Sequence, residues 1–230
     1  MIKLYELAAR DDAIRFSPYA WRVRLALLHK GLAFEGIPWR LVDKPVIAPA
    51  KSMTVPVIND GDYWLRDSFD ICLYLDKKYG EKPLFNDITM ARFFNGWVTK
   101  TVVHGLFPMI AADVWDILSD EDQVYFRNSR EKFLGCSLEE ARENREQVTP
   151  AFLAALSPVR DMLTTSDSKF LSGDQAGWSD YALAGNFIWA RTVSDYEVLD
   201  DDMVLTEWFE RMLDLFDGHA RKAPTAHGWS

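Results

Sequence analysis

The spacing of apolar residues changes character once along this chain. In its first third, short strand-like runs alternate with stretches of helical spacing, and from residue 88 onward only helical spacing remains. Ile2 to Leu7 alternates apolar and polar residues, the two-residue period of a half-buried strand. A polar loop, Ala8 to Arg15, then leads into Phe16-Ser17-Pro18-Tyr19-Ala20-Trp21-Arg22. Here Ser17 reads as an N-cap and Pro18 as the first helical position, while His29 and Lys30 supply last-turn cations and Gly31 a left-handed stop. Phe34 to Trp39 is a second strand reached through that helix, which makes a βαβ unit. Lys44 to Lys51, carrying Pro45 and Pro49, reads as a short irregular helix or loop. Val55 to Ile58 and Tyr63 to Leu65 flank Asn59-Asp60-Gly61-Asp62, residues that tolerate positive φ, so they predict a hairpin. Asp67 and Ser68, both good N-cap types, open a helix with Ile71, Cys72, Leu75 and Tyr79 at helical spacing.

That order, βαβαββα, is a thioredoxin-type fold. Gly80 to Asp87 reads as a linker, with Pro83 and an Asn86/Asp87 cap ahead of the next apolar-periodic stretch. Ile88 to Leu118 predicts one long helix, bent near Gly105 and Pro108 because proline removes a ladder bond and crowds the preceding turn. Asp120 to Phe133, Leu138 to Thr164, Asp180 to Val193 and Leu205 to Phe216 supply further helices. The expected fold class is an α/β thioredoxin-like N-terminal domain (residues 1–80), a linker (81–87) and an all-α C-terminal helical bundle (88–230).

Composition narrows the classes of function. The 230 residues suffice for one large core or two smaller ones, and 48% hydrophobic content is ordinary for a globular protein. A net charge of −9 with no basic patch argues against nucleic acid or an anionic membrane as main partner. Cys72 and Cys136 have neither a CxxC partner nor a His at ligand spacing, so no metal site or redox pair is expected. Both read as small buried apolar residues in a reduced compartment. Met-Ile-Lys-Leu-Tyr lacks the apolar run of a signal peptide and no run reaches membrane-span length, so a cytoplasmic protein is expected. The scattered His29, His104, His219 and His227 carry no assigned chemistry.

Pro56 is the odd residue of the hairpin, since proline donates nothing to a sheet ladder. It is either an edge-strand proline or half of a cis Val55-Pro56 bond that turns Val55's backbone groups away from the sheet. With Val-Pro opening the hairpin and Asp-Ser opening the helix, this unit resembles the glutathione-binding half of the glutathione transferases. The whole chain is similar to that family in its order of domains. Within it, Phe16-Ser-Pro-Tyr-Ala-Trp-Arg22, Thr54-Val-Pro-Val-Ile58, Ser129-Arg-Glu-Lys-Phe-Leu-Gly135 and Leu138-Glu139 resemble the bacterial β-etherases of lignin breakdown and the related fungal etherase-like class. The resemblance implies glutathione as cosubstrate and a cis Val55-Pro56 bond. It also implies that the Val55 backbone pairs with the cysteinyl part and that Asp67 and Ser68 hold the γ-glutamyl group. A helix N-terminus independently favours a carboxylate, and Asp67 could partner an ammonium, although cap preferences alone make the pair an N-cap. One departure stands out: Gly177 occupies the position where the superfamily has a Ser or Thr cap three residues before Asp180.

By resemblance, catalysis means making a thiolate from glutathione. A free thiol titrates at about 8.5, and a helix start lowers such a value through unpaired N–H groups and its dipole. A hydroxyl there can also donate to sulfur, which assigns Ser17 the catalytic role; on cap preferences alone it is a helix cap. Tyr5 is the rival, read here as a strand aromatic, and no cysteine stands at the helix start to do thiol exchange. Lys44 and Lys51 are either solvated lysines or partners of the glycyl carboxylate, with Lys44 the chosen candidate. The electrophile site is expected to be apolar and to lie between the domains, with residues from Ala8 to Arg15, Tyr19 and Phe107 to Trp115. The expected activity is attack of the thiolate on an electrophilic carbon of a small hydrophobic, aromatic substrate, with β-aryl ether cleavage as the specific form. The alternative is a non-catalytic ligand-binding or interaction module of the same fold. A homodimer is implied by the resemblance.

Overall fold

The computed structural model describes residues 1–228. A four-stranded mixed sheet in the order β2-β1-β3-β4 forms the N-terminal part. Strand β1 (Ile2–Leu7) pairs in parallel with β2 (Phe34–Trp39) across the crossover helix α1 (Pro18–His29), with Leu4 opposite Gly36. On its other side β1 runs antiparallel to β3 (Val57–Asp60), with Leu4 opposite Ile58. The hairpin is completed by β4 (Tyr63–Arg66), and α2 (Ser68–Lys78) follows at once. Lys44–Ala50 forms a 3-10 helix between β2 and the hairpin. β3 begins two residues later than the sequence pattern suggests, because Val55 and Pro56 stand outside the ladder and the bond between them is cis.

The C-terminal part is all-helical. Helix α3 (Ile88–Trp97) passes through a π-helical stretch, Val98–Val103, into α4 (His104–Ile117). The expected bend near Gly105 and Pro108 thus takes the form of loosened winding one turn earlier. Pro108 offers no N–H to the carbonyl of His104, and its ring crowds that turn. After α5 (Asp120–Leu134), the single helix expected over Leu138 to Thr164 is three: α6 (Leu138–Glu143), α7 (Arg145–Ala155) and α8 (Ser157–Thr165). At the first break, the Asn144 side-chain amide donates to the Glu140 carbonyl at 2.9 Å and competes with the ladder. At the second, Pro158 has no N–H for the carbonyl of Ala154. Helices α9 (Trp178–Val193) and α10 (Met203–Gly218) complete ten α-helices among the described residues. The winding of α10 fails at Leu215 to Asp217, where Phe216 and Asp217 take positive φ.

Two features of α9 fix the rest. Asp180 is fully buried and accepts four N–H groups. These come from Leu171 (2.8 Å), Ser172 (3.0 Å), Gly177 (3.1 Å) and the Trp208 indole (3.0 Å). Gly177 replaces the familiar hydroxyl cap because a Cβ there would lie 2.9 Å from both Cβ and Oγ of Ser172. At Gly185, α9 meets α1 so closely that a Cβ would lie 2.5 Å from the Pro18 carbonyl oxygen. Small residues allow such backbone approach, and here the approach pins the first turn of α1.

Of the two cysteines, both free, Cys72 is buried as expected. Cys136 is only half-buried, because it follows the left-handed stop at Gly135 into the turn between α5 and α6. Among the described residues no helix is long and apolar enough to cross a membrane.

Candidate active site

One cavity of about 660 Å³ opens between the sheet-bearing part and the helical part. Its polar wall is built from the starts of two helices and the loop before the hairpin. Ser17, 4% exposed, caps α1 in extended conformation. Its Oγ accepts the Ala20 N–H at 3.2 Å, and among the described residues its own hydrogen meets no acceptor, which leaves that hydrogen available to the cavity. Asp67 caps α2: one carboxylate oxygen accepts the N–H groups of Phe69 (2.8 Å) and Asp70 (3.1 Å). Asp67 does so at φ +68, a strained region for a residue with a Cβ. Ser68 is buried as the first residue of α2. Val55 and Pro56 line the same cavity between these helix starts.

Lys44 lines the cavity and Lys51 does not. The Lys44 ammonium donates to the Met53 carbonyl at 2.9 Å and lies 4.7 Å from the Trp39 ring centroid and 5.3 Å from that of Tyr125. Burial holds its pKa below the ordinary lysine value, with Asp122 acting in the opposite direction and Arg130 in the same one. Lys51 instead sits in left-handed conformation at the end of the 3-10 helix, its carbonyl accepting from Arg66. Tyr5 also stands apart from the cavity: it is buried against Trp64 at 5.4 Å between centroids, and burial, with Glu35, raises its phenol pKa. It is packed as a strand aromatic.

The apolar wall differs from expectation. Tyr19, Phe107 and Val114 line it, as the sequence suggests, but the Ala8 to Arg15 loop does not. That loop is tied back on itself and the α4 end by an Ala8–Arg15 bridge and the Arg10 N–H to Ile117 carbonyl bond of 2.8 Å. Its place is taken by α5, which contributes Tyr125, Phe126, Arg130 and Phe133, and by Trp189 of α9. Phe107 is the centre of this wall, with ring centroids 6.2 Å from Phe126, 5.9 Å from Phe133 and 6.0 Å from Trp189. The only sequence signal for α5 was its Ser129 to Gly135 motif, since an aromatic at helical spacing does not declare whether it faces core or cavity.

Arg22 is a further residue that sequence reasoning passed over. It is fully buried, lines the cavity, and donates from Nη1 to Asn95 Oδ1 at 3.1 Å, with its guanidinium 4.6 Å above the Tyr19 ring centroid. Burial lowers its pKa to about 10, so it stays charged at neutral pH.

A cavity with a hydroxyl and two helix starts at one end and stacked rings at the other suits a polar peptide-like anion and an aromatic partner side by side. Comparison with known proteins agrees in kind. The family model of the glutathione S-transferase N-terminal domain matches residues 13–83, and that of the C-terminal domain matches residues 89–217. Glutathione S-transferase Z2 of Arabidopsis thaliana is 31% identical over 175 residues, which cover 73% of this chain and 70% of that protein. Among solved structures, glutathione transferase GSTFuA3 of Phanerochaete chrysosporium superposes with a TM-score of 0.76 at 27% identity, covering 94% of this chain and 92% of that one. The glutathione complex of the glutathione S-transferase CsGST63524 of Ceriporiopsis subvermispora gives a TM-score of 0.83 at 23% identity, over 94% and 96% of the two chains. The family models cover most of the sequence and the Arabidopsis relative spans both halves of it: the chain belongs to the glutathione S-transferase family, whose cosubstrate is glutathione.

Proposed function

We propose that this protein is a serine-type glutathione transferase whose thiolate attacks a carbon of an aromatic substrate, in its specific form the β-carbon of an aryl ether. The observation that carries the reading is the convergence of Ser17, Val55-Pro56 and Asp67-Ser68 on one wall of a cavity whose other wall is aromatic. On this reading Lys44 meets the glycyl carboxylate, the Val55 backbone pairs with the cysteinyl unit, and Asp67 and Ser68 hold the γ-glutamyl end. The strained φ of Asp67 supports a role beyond capping, because a cap has no need of a disfavoured backbone.

The chemistry follows from the charges. The thiol proton leaves to solvent, and the Ser17 hydroxyl donates a hydrogen bond to the sulfur anion. A carbon–sulfur bond then forms as the carbon–oxygen bond breaks, and the aryloxide departs with the bonding pair and is protonated by water. Preorganised donation of this kind stabilises charge that is larger in the reactive state than in the resting one. The rings of Phe107, Phe126, Phe133 and Trp189 support an aromatic electrophile. The similarity to a fungal transferase at 27% identity is compatible with the etherase-like class. A homodimer and a cytoplasmic setting belong to the same reading. Exposed Met90 and Phe93 on α3 and Tyr63 on β4 offer apolar surface for a second copy, and both cysteines are free.

Retention on immobilised glutathione, with turnover of both a generic aromatic electrophile and a β-aryl ether, is the expected result. Turnover of the generic electrophile alone would leave a transferase and discard the ether. Binding with no turnover of either would make the chain a ligand-binding module.

A further inference from the structure

Arg22 has a charge and no counter-charge within ion-pair distance among the described residues. It is fully buried on the wall of the glutathione cavity, yet its Nε and Nη2 have no acceptor and it joins no ion pair among the described residues. The groups that face it are few. Tyr19 comes from its own helix, Asp67 and Cys72 from the start and body of α2, and neutral Asn95 from α3, while α9 brings the backbone of Gly185 against the Arg22 stem. The Asp67 carboxylate, one oxygen of which is held by its own helix start, attracts Arg22 only from beyond ion-pair distance, and burial drives the Cys72 thiol far above its usual range, so Cys72 brings no charge. A buried guanidinium left in that state is costly unless an anion arrives to pair with it.

The anion can be identified by asking which charge changes. Both carboxylates of glutathione are negative whether its sulfur is protonated or not, so attraction to them would strengthen binding and nothing else. Only the sulfur gains charge between resting and reactive forms, and a cation left without an ion pair on the same wall favours that gain. Direction agrees: a helical side chain leans back toward the start of its helix. The guanidinium accordingly lies over Tyr19, two residues past Ser17. We propose that Arg22 is the buried counter-charge that favours ionisation of the bound glutathione thiol, an electrostatic partner to the Ser17 hydroxyl. This rests on the cavity being the glutathione site.

The test compares Arg22→Met and Arg22→Lys with the parent by ultraviolet titration of the thiolate of bound glutathione and by the pH profile of kcat. In Arg22→Met the midpoint should move to higher pH by about one unit. Near neutral pH kcat should fall about tenfold and recover in alkaline buffer, as a one-unit shift requires, with KM for glutathione nearly unchanged. Arg22→Lys should keep most of the parent's profile. An unmoved midpoint with a raised KM would overturn the assignment and make Arg22 a carboxylate ligand. An unmoved midpoint with a lowered melting temperature would make it structural. Should Arg22→Met not fold, Arg22→Gln, which keeps a donor for Asn95, is held to the same midpoint shift. A parent whose glutathione thiolate titrates no lower than that of free glutathione in the same buffer would sink the glutathione reading itself, a different failure from a lowered parent midpoint that Arg22 does not affect.

Discussion

Gly185→Ala adds one methyl at the tightest point between α9 and α1. The new Cβ would stand 2.5 Å from the Pro18 carbonyl oxygen and 3.3 Å from Cγ of Arg22. Non-bonded heavy atoms rest at about 3.5 Å, so the first turn of α1 must retreat by about 1 Å or α9 must bend. The obstacle is backbone, which cannot rotate aside as a side chain can. Overpacking of this kind costs about 1–3 kcal/mol, while replacing a mid-helix glycine by alanine returns about 1 kcal/mol. The net expectation is a loss of up to about 2 kcal/mol, at about 2–4 °C of melting temperature per kcal/mol for a chain of this size. Because Ser17 caps the turn that moves, transferase activity should fall by about tenfold or more; a 1 Å misplacement can cost about 10²-fold. Gly96→Ala is the control, since Gly96 also lies within a helix and nothing stands within 4 Å of its added Cβ. That variant should be more stable than the parent by about 1 kcal/mol. Calorimetry and steady-state kinetics on the three proteins decide the matter. A Gly185→Ala protein as stable as Gly96→Ala would show that the α1–α9 contact is not a rigid stop.

Other perturbations address other parts of the structure. Ser17→Ala should slow turnover by about 10²-fold and lower stability by about 1 kcal/mol, while Ser17→Gly should slow it as much and cost only a few tenths; a glycine variant as fast as the parent would reduce Ser17 to a cap. Asp180→Ala leaves four buried N–H groups without an acceptor and should cost about 4 kcal/mol or more in chemical denaturation; a loss under about 1 kcal/mol would mean that water replaces the carboxylate. Asp60 gives a pH test. Burial raises its pKa, but hydrogen bonds from Lys78 (2.7 Å), Tyr74 (2.8 Å) and Tyr79 (2.8 Å) outweigh burial and hold it below the usual range. A lowered folded-state pKa contributes stability that is present above about pH 4, the unfolded value, and is lost as pH falls through the folded one. Thermal melts of Asp60→Asn should therefore depend less on pH below about 4 than those of the parent; parallel curves would refute the assignment.

What could be read from the residues follows the range of the interactions. The Ser17 cap, the hairpin turn and the Asp67 helix start are set by neighbours two or three residues away, so their sequence signals are direct. The cavity is a long-range object. That α5 rather than the Ala8 to Arg15 loop walls it depends on where Arg10 and Ile117 meet, which no local spacing encodes. Arg22 was hidden for another reason: α1 is buried on nearly every side, so a cation between Trp21 and Val23 breaks no apolar stripe. The three-part course of α6 to α8 was missed because Asn144 and Pro158 each interrupt a helix whose apolar spacing continues across them.

The loosened turn at Val98–Val103 also governs the geometry of recognition. Asn95, Thr99, Val103 and Phe107 follow one another at intervals of four, and all four line the cavity. In a uniform α-helix each such step overshoots one turn by about 40°, so the last of them would point about 120° away from the first. Winding with i→i+5 bonds takes more residues per turn and cancels that drift. A single rod therefore presents Asn95, which holds the guanidinium, and Phe107, which centres the aromatic wall, to the same opening. Tightening this stretch to α-helical winding with every residue kept would rotate Phe107 and Val114 out of the opening. The anion-holding end would be left in place and the substrate's wall removed, so the phase of this one turn keeps the two halves of the reaction facing each other.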